Sequence, residues 1–453
     1  MNEIQQFLRD HTARIEPLSR DLHLAYWNAT ISGKEEDFSR YAELDIEMQK
    51  LYTDTTAFRR VRAWRDTGAG ADAVERREID ILYRRYLRNQ IDPGLIERMT
   101  RLSTDITNRF NVYRVETNGD TLTSNQVRSI LKHSFDTEER RRVWEADKGV
   151  GAEVCDDLIE LARLRNRAAA ELGFESFYTM SLELGEQNQD DVMAVFDRLE
   201  QLTREPFRAL KEEIDSVIGG RHGIGPDELR PWHYHDPFFQ EAPNVFDVDV
   251  DGYYRGRDIL GTVRGFYEGI GLEVEAILDA SDLYEKPGKE QHAYCMDIDR
   301  RGDIRVLANI HDDENWTGTM LHELGHAVYD RYIDPSLPFL LREHAHVFAT
   351  EAIAMYFGRL SKDPQWIHLA CGVPENELAD VAVALKRKMT LAQLVFARWC
   401  QVMVRFEREL YRDPEQDLNR VWWDLVSRYQ FINPPEGRNA PDWAAKIHVV
   451  SAP

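Results

Sequence analysis

The chain has 453 residues, 43% hydrophobic and 10% aromatic, enough to bury a large core. Its net charge of −23 argues against a nucleic-acid partner, which demands a basic footprint. Four cysteines (Cys155, Cys295, Cys371, Cys400) lie far apart with no C-x-x-C pair, so structural disulfides are not expected and a reducing compartment is. Met1-Asn2-Glu3-Ile4-Gln5-Gln6 shows no basic segment followed by an apolar one. No apolar run approaches the ~20 residues needed to cross a bilayer. The expectation is a cytoplasmic protein with no membrane partner.

In chain order, apolar residues recur at three- and four-residue intervals over 3–30, 36–66, 74–115, 124–134, 138–171 and 189–218, which predicts helices. Turn signals interrupt them at Thr67-Gly68-Ala69-Gly70, Asp92-Pro93-Gly94 and Asn118-Gly119-Asp120. A proline-rich loop section follows, from Gly219 to about Asp251. Helical patterning resumes over 256–271, 312–333, 344–361, 375–411 and 414–430. One segment differs. Gln291 to Ile298 alternates in strand fashion, Asp299-Arg300-Arg301-Gly302 offers a turn, and Asp303 to Ile310 continues as a second strand. The predicted fold is mainly α: one large helical unit over 1–453, with two lobes around a cleft and a short β-ribbon beside the helix at 312–333. Residues 1–115 form its N-terminal helical region and 116–453 the remainder of both lobes.

That helix carries His322-Glu323-Leu324-Gly325-His326. Positions i and i+4 share a helix face, so both histidines can close on one cation, and the intervening glutamate can take a proton from a water in its open position. The flanking Met320, Leu321, Leu324, Ala327 and Val328 predict a largely buried helix, in which two histidines and a glutamate need partners. The pattern is that of a zinc peptidase with one zinc ion per chain. A third protein ligand is required. The extended motif with Gly at 329 and His at 332 is absent, since Tyr329 and Tyr332 stand there. A second helix begins near Glu343, and Glu351 lies within it among apolar and small residues, where an unpaired carboxylate is costly. Glu351 is the expected ligand, with Glu343 and His346 as alternatives. Asp247-Val248-Asp249-Val250-Asp251-Gly252, with Asp258 twelfth, imitates a calcium loop, but Arg255, Arg257 and a final Asp favour a helix-capping acidic loop. His233 and His235 are read as loop residues. There is no G-x-S-x-G elbow or phosphate-binding glycine loop.

Several stretches together resemble the angiotensin-converting-enzyme family of zinc peptidyl-dipeptidases: Phe7-Leu8 through Leu24-Ala25-Tyr26-Trp27-Asn28-Ala29-Thr30-Ile31, Arg141 through Gly173-Phe174, His292-Ala293-Tyr294-Cys295-Met296-Asp297, and Ala445-Lys446-Ile447-His448. The zinc helices and the Ala-Tyr-Cys-x-Asp-Ile strand are also similar to those of the thimet-type oligopeptidases. The resemblance implies that the cleft is a deep central active-site channel, that the first helix lids it, and that His292 and Ala293 contact a peptide substrate. It further implies that Lys446 grips the substrate's C-terminal carboxylate, while His448 hydrogen-bonds near the scissile bond as a catalytic residue. Zinc on His322, His326 and Glu351, with Glu323 as general base, would then release C-terminal dipeptides. The alternatives are a thimet-type oligoendopeptidase and a zinc-stabilised, non-catalytic peptide-binding scaffold. Three departures stand out: Met355 replaces the family's aspartate one turn after the glutamate ligand, a substrate-binding glutamine is replaced around Tyr234 or His235, and the cysteine pairs of secreted members are missing. The family's tyrosines that follow the lysine motif, one on the carboxylate and one on the oxyanion, have no counterpart before Pro453. The corresponding expectation is a chain that binds zinc but turns over weakly, pairing with a missing C-terminal segment or a second chain.

Overall fold

The computed structural model describes residues 2–246 and 248–450. Asp247, the first acid of the calcium-like loop, and Ser451-Ala452-Pro453, at the end of the sequence, lie outside the described residues. The fold is mainly α, 69% helical, with two small two-stranded sheets among the described residues. None of the described helices is long and apolar enough to cross a membrane. The chain divides into two compact units, Met1–Asn111 with Asp249–Ala379, and Val112–Val248 with Asp380–Pro453.

The first unit opens with the helix Glu3–Ser32, which starts at a reciprocal cap between Asn2 and Gln5. It stops at Gly33, whose φ of 66° closes the helix in the left-handed region. The predicted helix at 36–66 is two helices, Glu35–Leu51 and Thr55–Asp66, because the Asp54 carboxylate accepts from the Thr56 and Ala57 amides and starts a new one. Leu8, Ile15, Val61, Ile79, Leu82, Phe339 and Leu340 form one buried cluster, which ties the N-terminal helices to the segment before residue 347. The predicted ribbon is present but shorter. Tyr294–Asp297 pairs antiparallel with Ile304–Leu307, and a bridge from Asp282 to Leu307 covers the far side of the second strand. The first strand therefore keeps an edge unpaired among the described residues. Trp27, Ile298 and Leu307 pack as a small core, and Thr30 Oγ1 and the Tyr294 hydroxyl are 2.6 Å apart, so the first helix holds this ribbon.

In the second unit the expected helix at 138–171 breaks at Lys148 into Thr137–Asp147 and Gly149–Glu171. The expected run to 115 instead ends at Val112, and a hairpin, Val115–Thr117 with Asp120–Leu122, follows. Its turn is Asn118-Gly119, with φ of 52° and 88°, the pair that tolerates two successive left-handed residues. The helix Gln189–His222 runs into the stretch expected to be loop. Asp258, the last acid of the calcium-like pattern, caps Ile259–Gly269 in the first unit by accepting from the Gly261 amide at 2.9 Å.

Candidate metal centre

The motif helix is Glu314–Arg331, started by Asp313, whose carboxylate accepts from the Trp316 amide at 2.7 Å. After a turn at 332–346 the chain comes back as the return helix Val347–Gly358. The two cross on small residues. A Cβ on Gly325 would lie 2.7 Å from the Ala354 Cα, and one on Gly358 would lie 3.1 Å from the His322 Cβ. On the return helix Thr350, Ala354 and Gly358 recur every four residues and make one ridge. Beyond the crossing, Ser361 Oγ donates to Glu314 Oε1 at 2.7 Å and Lys362 Nζ pairs with the same oxygen at 2.5 Å.

That close approach puts Glu351 over the two histidines. His322 Nε2 and His326 Nε2 are 3.1 Å apart, and the Glu351 carboxylate oxygens lie 3.5 Å from the first and 3.6 Å from the second. Ligands bound tetrahedrally at ~2.0–2.1 Å stand about 3.3 Å from one another, so the three donors already have the spacing of three corners around a zinc-sized cation. Burial pushes the pKa of both histidines down to about 4, His322 adding to the effect at His326. Both imidazoles are thus neutral near pH 7, the form that binds metals. Among the described residues this is the one group of three or more such side chains whose donors all converge. The donor set, two imidazoles and a carboxylate, suits zinc.

Glu343 and His346, the alternative ligands, are engaged elsewhere. Glu343 pairs with Arg85 and, at 2.5 Å, with Arg300. Burial alone would raise its pKa, but the two guanidinium groups bring it below the usual range. His346 caps the return helix by accepting from the Phe348 amide at 3.2 Å.

Glu323 is 7% exposed and faces the ribbon, where its carboxylate accepts from the Cys295 backbone N–H. Desolvation, with the neighbouring Glu351 charge second, pushes its pKa up to about 8. His292 is half-exposed beside Glu290, 3.3 Å from its carboxylate, and Ala293 leads directly into the edge strand. Lys446 and His448 belong to the second unit. Lys446 is buried there and donates to Gln240 Oε1 at 2.8 Å, while His448 is exposed. A glutamine, Gln240, thus accompanies the lysine a few residues beyond Tyr234 and His235. Tyr234 is fully buried, donating to Asp215 at 2.9 Å.

Residues 254–452 match the family model described as angiotensin-converting enzyme. That stretch of the chain is similar to the angiotensin-converting-enzyme family. The chain is 22% identical over 390 residues to the angiotensin-converting enzyme of Theromyzon tessulatum, covering 78% of this chain and 62% of that one. It is 30% identical over 226 residues to the angiotensin-converting enzyme of Mus musculus, covering 47% and 17%. It is 26% identical over 161 residues to an inactive angiotensin-converting enzyme-related protein of Caenorhabditis elegans, covering 34% and 18%. The chain thus spans about three fifths of the first relative and under a fifth of the other two. The matched region contains the ribbon, both crossing helices and the Lys446 segment.

Sequence reasoning missed Thr350, whose Oγ1 lies 2.8 Å from His326 Nδ1. It also missed the structural role of Gly325 inside the motif. The ridge Thr350-x-x-x-Ala354-x-x-x-Gly358 was the available signal for the close crossing at Gly325, and nothing local marked the bond from Thr350. Gly325→Ala should force the helices apart, lowering stability by about 1–3 kcal/mol as overpacked sites do. It should also weaken metal binding at least about tenfold, since even two-ligand geometry degrades when the third donor moves. Chemical denaturation and a zinc competition titration measure the two effects.

Proposed function

We propose that this chain is a zinc-dependent peptidase that shortens peptides from their C-terminal end, most simply by dipeptide release. The observation that carries the reading is the convergence of His322 Nε2, His326 Nε2 and the Glu351 carboxylate within 3.1–3.6 Å, beside a buried glutamate that is not part of the donor set. Bound zinc would supply Lewis acidity, polarising a scissile carbonyl and acidifying a water.

The chain's own groups divide the remaining work. Glu323 accepts the attacking water's proton on its carboxylate and returns it to the leaving amine. A nearby dication favours the ionised form of this carboxylate, offsetting the burial that raises its pKa. The Cys295 amide holds the carboxylate against the ribbon, so the base sits at the strand edge that can take an extended peptide by main-chain pairing. His292 and Ala293 flank that edge. Lys446 with Gln240 offers a cation and an amide to a terminal carboxylate, and His448 hydrogen-bonds the substrate near the bond to be cut. A cytoplasmic location stays part of the proposal, supported by four well-separated free thiols.

A non-catalytic scaffold is the second reading, favoured by the name of the Caenorhabditis elegans relative. Glu323 separates the two, because a structural metal site needs no buried base. Glu323→Gln should keep full zinc content by elemental analysis yet lose peptide hydrolysis by at least about 10²-fold, the weight of a general base. Activity equal to that of the unsubstituted protein would remove Glu323 from the mechanism.

Lys446 predicts a second outcome. Peptides with a free C-terminus should be cut faster than their amidated forms, judged by kcat/KM from mass-resolved digests. Burial pulls the Lys446 pKa down to about 8, against the raising influence of Asp236 and Glu241. The ammonium is therefore lost as pH rises through that value, and the acid-to-amide preference should shrink between about pH 7 and 9. Taking the ratio of the two substrates cancels any titration of Glu323. Equal cutting of both forms at many internal bonds would favour the oligoendopeptidase instead.

A further inference from the structure

An imidazole that binds a cation through Nε2 must carry its proton on Nδ1. If that proton has no acceptor, the ring is free to rotate and to exchange tautomers. An acceptor at Nδ1 therefore sets both the ring plane and the availability of the other nitrogen. For His326 the acceptor is the Thr350 hydroxyl at 2.8 Å. Thr350 is 4% exposed, so bulk water has little access to the bond. No comparable bond reaches His322 Nδ1 among the described residues.

The placement of Thr350 follows from the helix crossing. Thr350 and Glu351 are successive residues on the return helix and point about 100° apart around its axis. The hydroxyl meets the Nδ1 side of the His326 ring, while the carboxylate meets its Nε2 side. Thr350 also begins the ridge that continues through Ala354 and Gly358 against Gly325 and His322. The seating that fixes the third donor thus fixes the hydroxyl too. Metal-bound histidines ordinarily donate this proton to a carboxylate, a backbone carbonyl or water. Here the acceptor is a neutral hydroxyl, and Met355 occupies the position one turn beyond Glu351.

We propose that Thr350 is the positioning residue of the metal centre: its hydroxyl accepts the Nδ1 proton of His326 and holds Nε2 at the point where His322 and Glu351 converge. The proposal rests on His326 being a metal ligand. Thr350→Val keeps the branched shape and removes the acceptor, whereas Thr350→Ser keeps the acceptor and removes a methyl group.

The test compares zinc affinity by competition with a chromophoric chelator, together with the visible spectrum of the cobalt-substituted protein, in the unsubstituted chain, T350V, T350S and T350A. The expected result is an affinity loss of about 10–100-fold in T350V and T350A, with altered cobalt bands, and recovery of both in T350S. Should T350V fail to fold, the T350S and T350A pair still decides. Equal affinity and spectra in those two, or unchanged values in T350V, would overturn the role of Thr350. His326→Ala keeps the two failures apart. If it too binds zinc normally, the metal reading itself falls; if it loses zinc while the Thr350 variants do not, only the positioning role falls.

Discussion

Two helices cross where Gly325 lies against Ala354, with no room between them for even one additional methyl group. This steric constraint sets the candidate metal centre. The motif helix alone presents two imidazoles on one face, a two-donor arrangement with little hold on a cation. The third donor comes from a helix separated by a turn, and its reach depends on how closely the axes approach. A carboxylate side chain spans only a few ångströms beyond its own helix. A glycine at 325 and the small ridge of Thr350, Ala354 and Gly358 bring Glu351 to 3.5–3.6 Å from both histidine nitrogens. Larger residues along that ridge would preserve both helices and lose the convergence.

The crossing is anchored at both ends. Glu314, Ser361 and Lys362 close the side nearest the start of the motif helix. At the other, Glu343 in the intervening turn is held by Arg85 from the N-terminal helices and Arg300 from the ribbon turn. The same turn carries His344, 3.8 Å from Asp330 near the end of the motif helix. The ribbon is in turn fastened to the first helix through Thr30 and Tyr294, and its Cys295 amide reaches Glu323. Glu323, the three donors and the strand edge therefore share one set of supports within one compact unit, as a site needing sub-ångström placement requires.

What was legible in the sequence follows from range. The i, i+4 pairing of His322 and His326 and the cap at Asp258 are local, and spacing or residue type reveals them directly. Glu351 was legible for a different reason: a carboxylate among apolar residues demands an explanation. The bond from Thr350 to His326 was not, because a threonine before a glutamate in a helix has no local signature, and its role appears only when a second helix arrives. The hairpin at Asn118-Gly119 was misjudged for the opposite reason. Its turn was visible, but two three-residue strands are too short for period-two alternation to outweigh the helical pattern before them. Gln240 escaped notice because its partner Lys446 is remote in sequence and meets it through tertiary folding.

The charge balance of the candidate centre suits a cation. His322 and His326 are neutral near pH 7, while burial pushes both Glu323 and Glu351 upward, toward their protonated forms. Left to themselves these groups shed charge, as buried ionisable side chains do. A divalent cation held by His322, His326 and Glu351 would reverse that tendency in both carboxylates, setting two negative charges against two positive ones. One carboxylate suffices to complete a three-donor site. The second, Glu323, is 7% exposed and accepts from the Cys295 backbone amide, and burying such a carboxylate costs more than burying an apolar side chain. Its burial beside the donors is unfavourable for stability, a pattern that occurs where a fold gives up stability at a functional site.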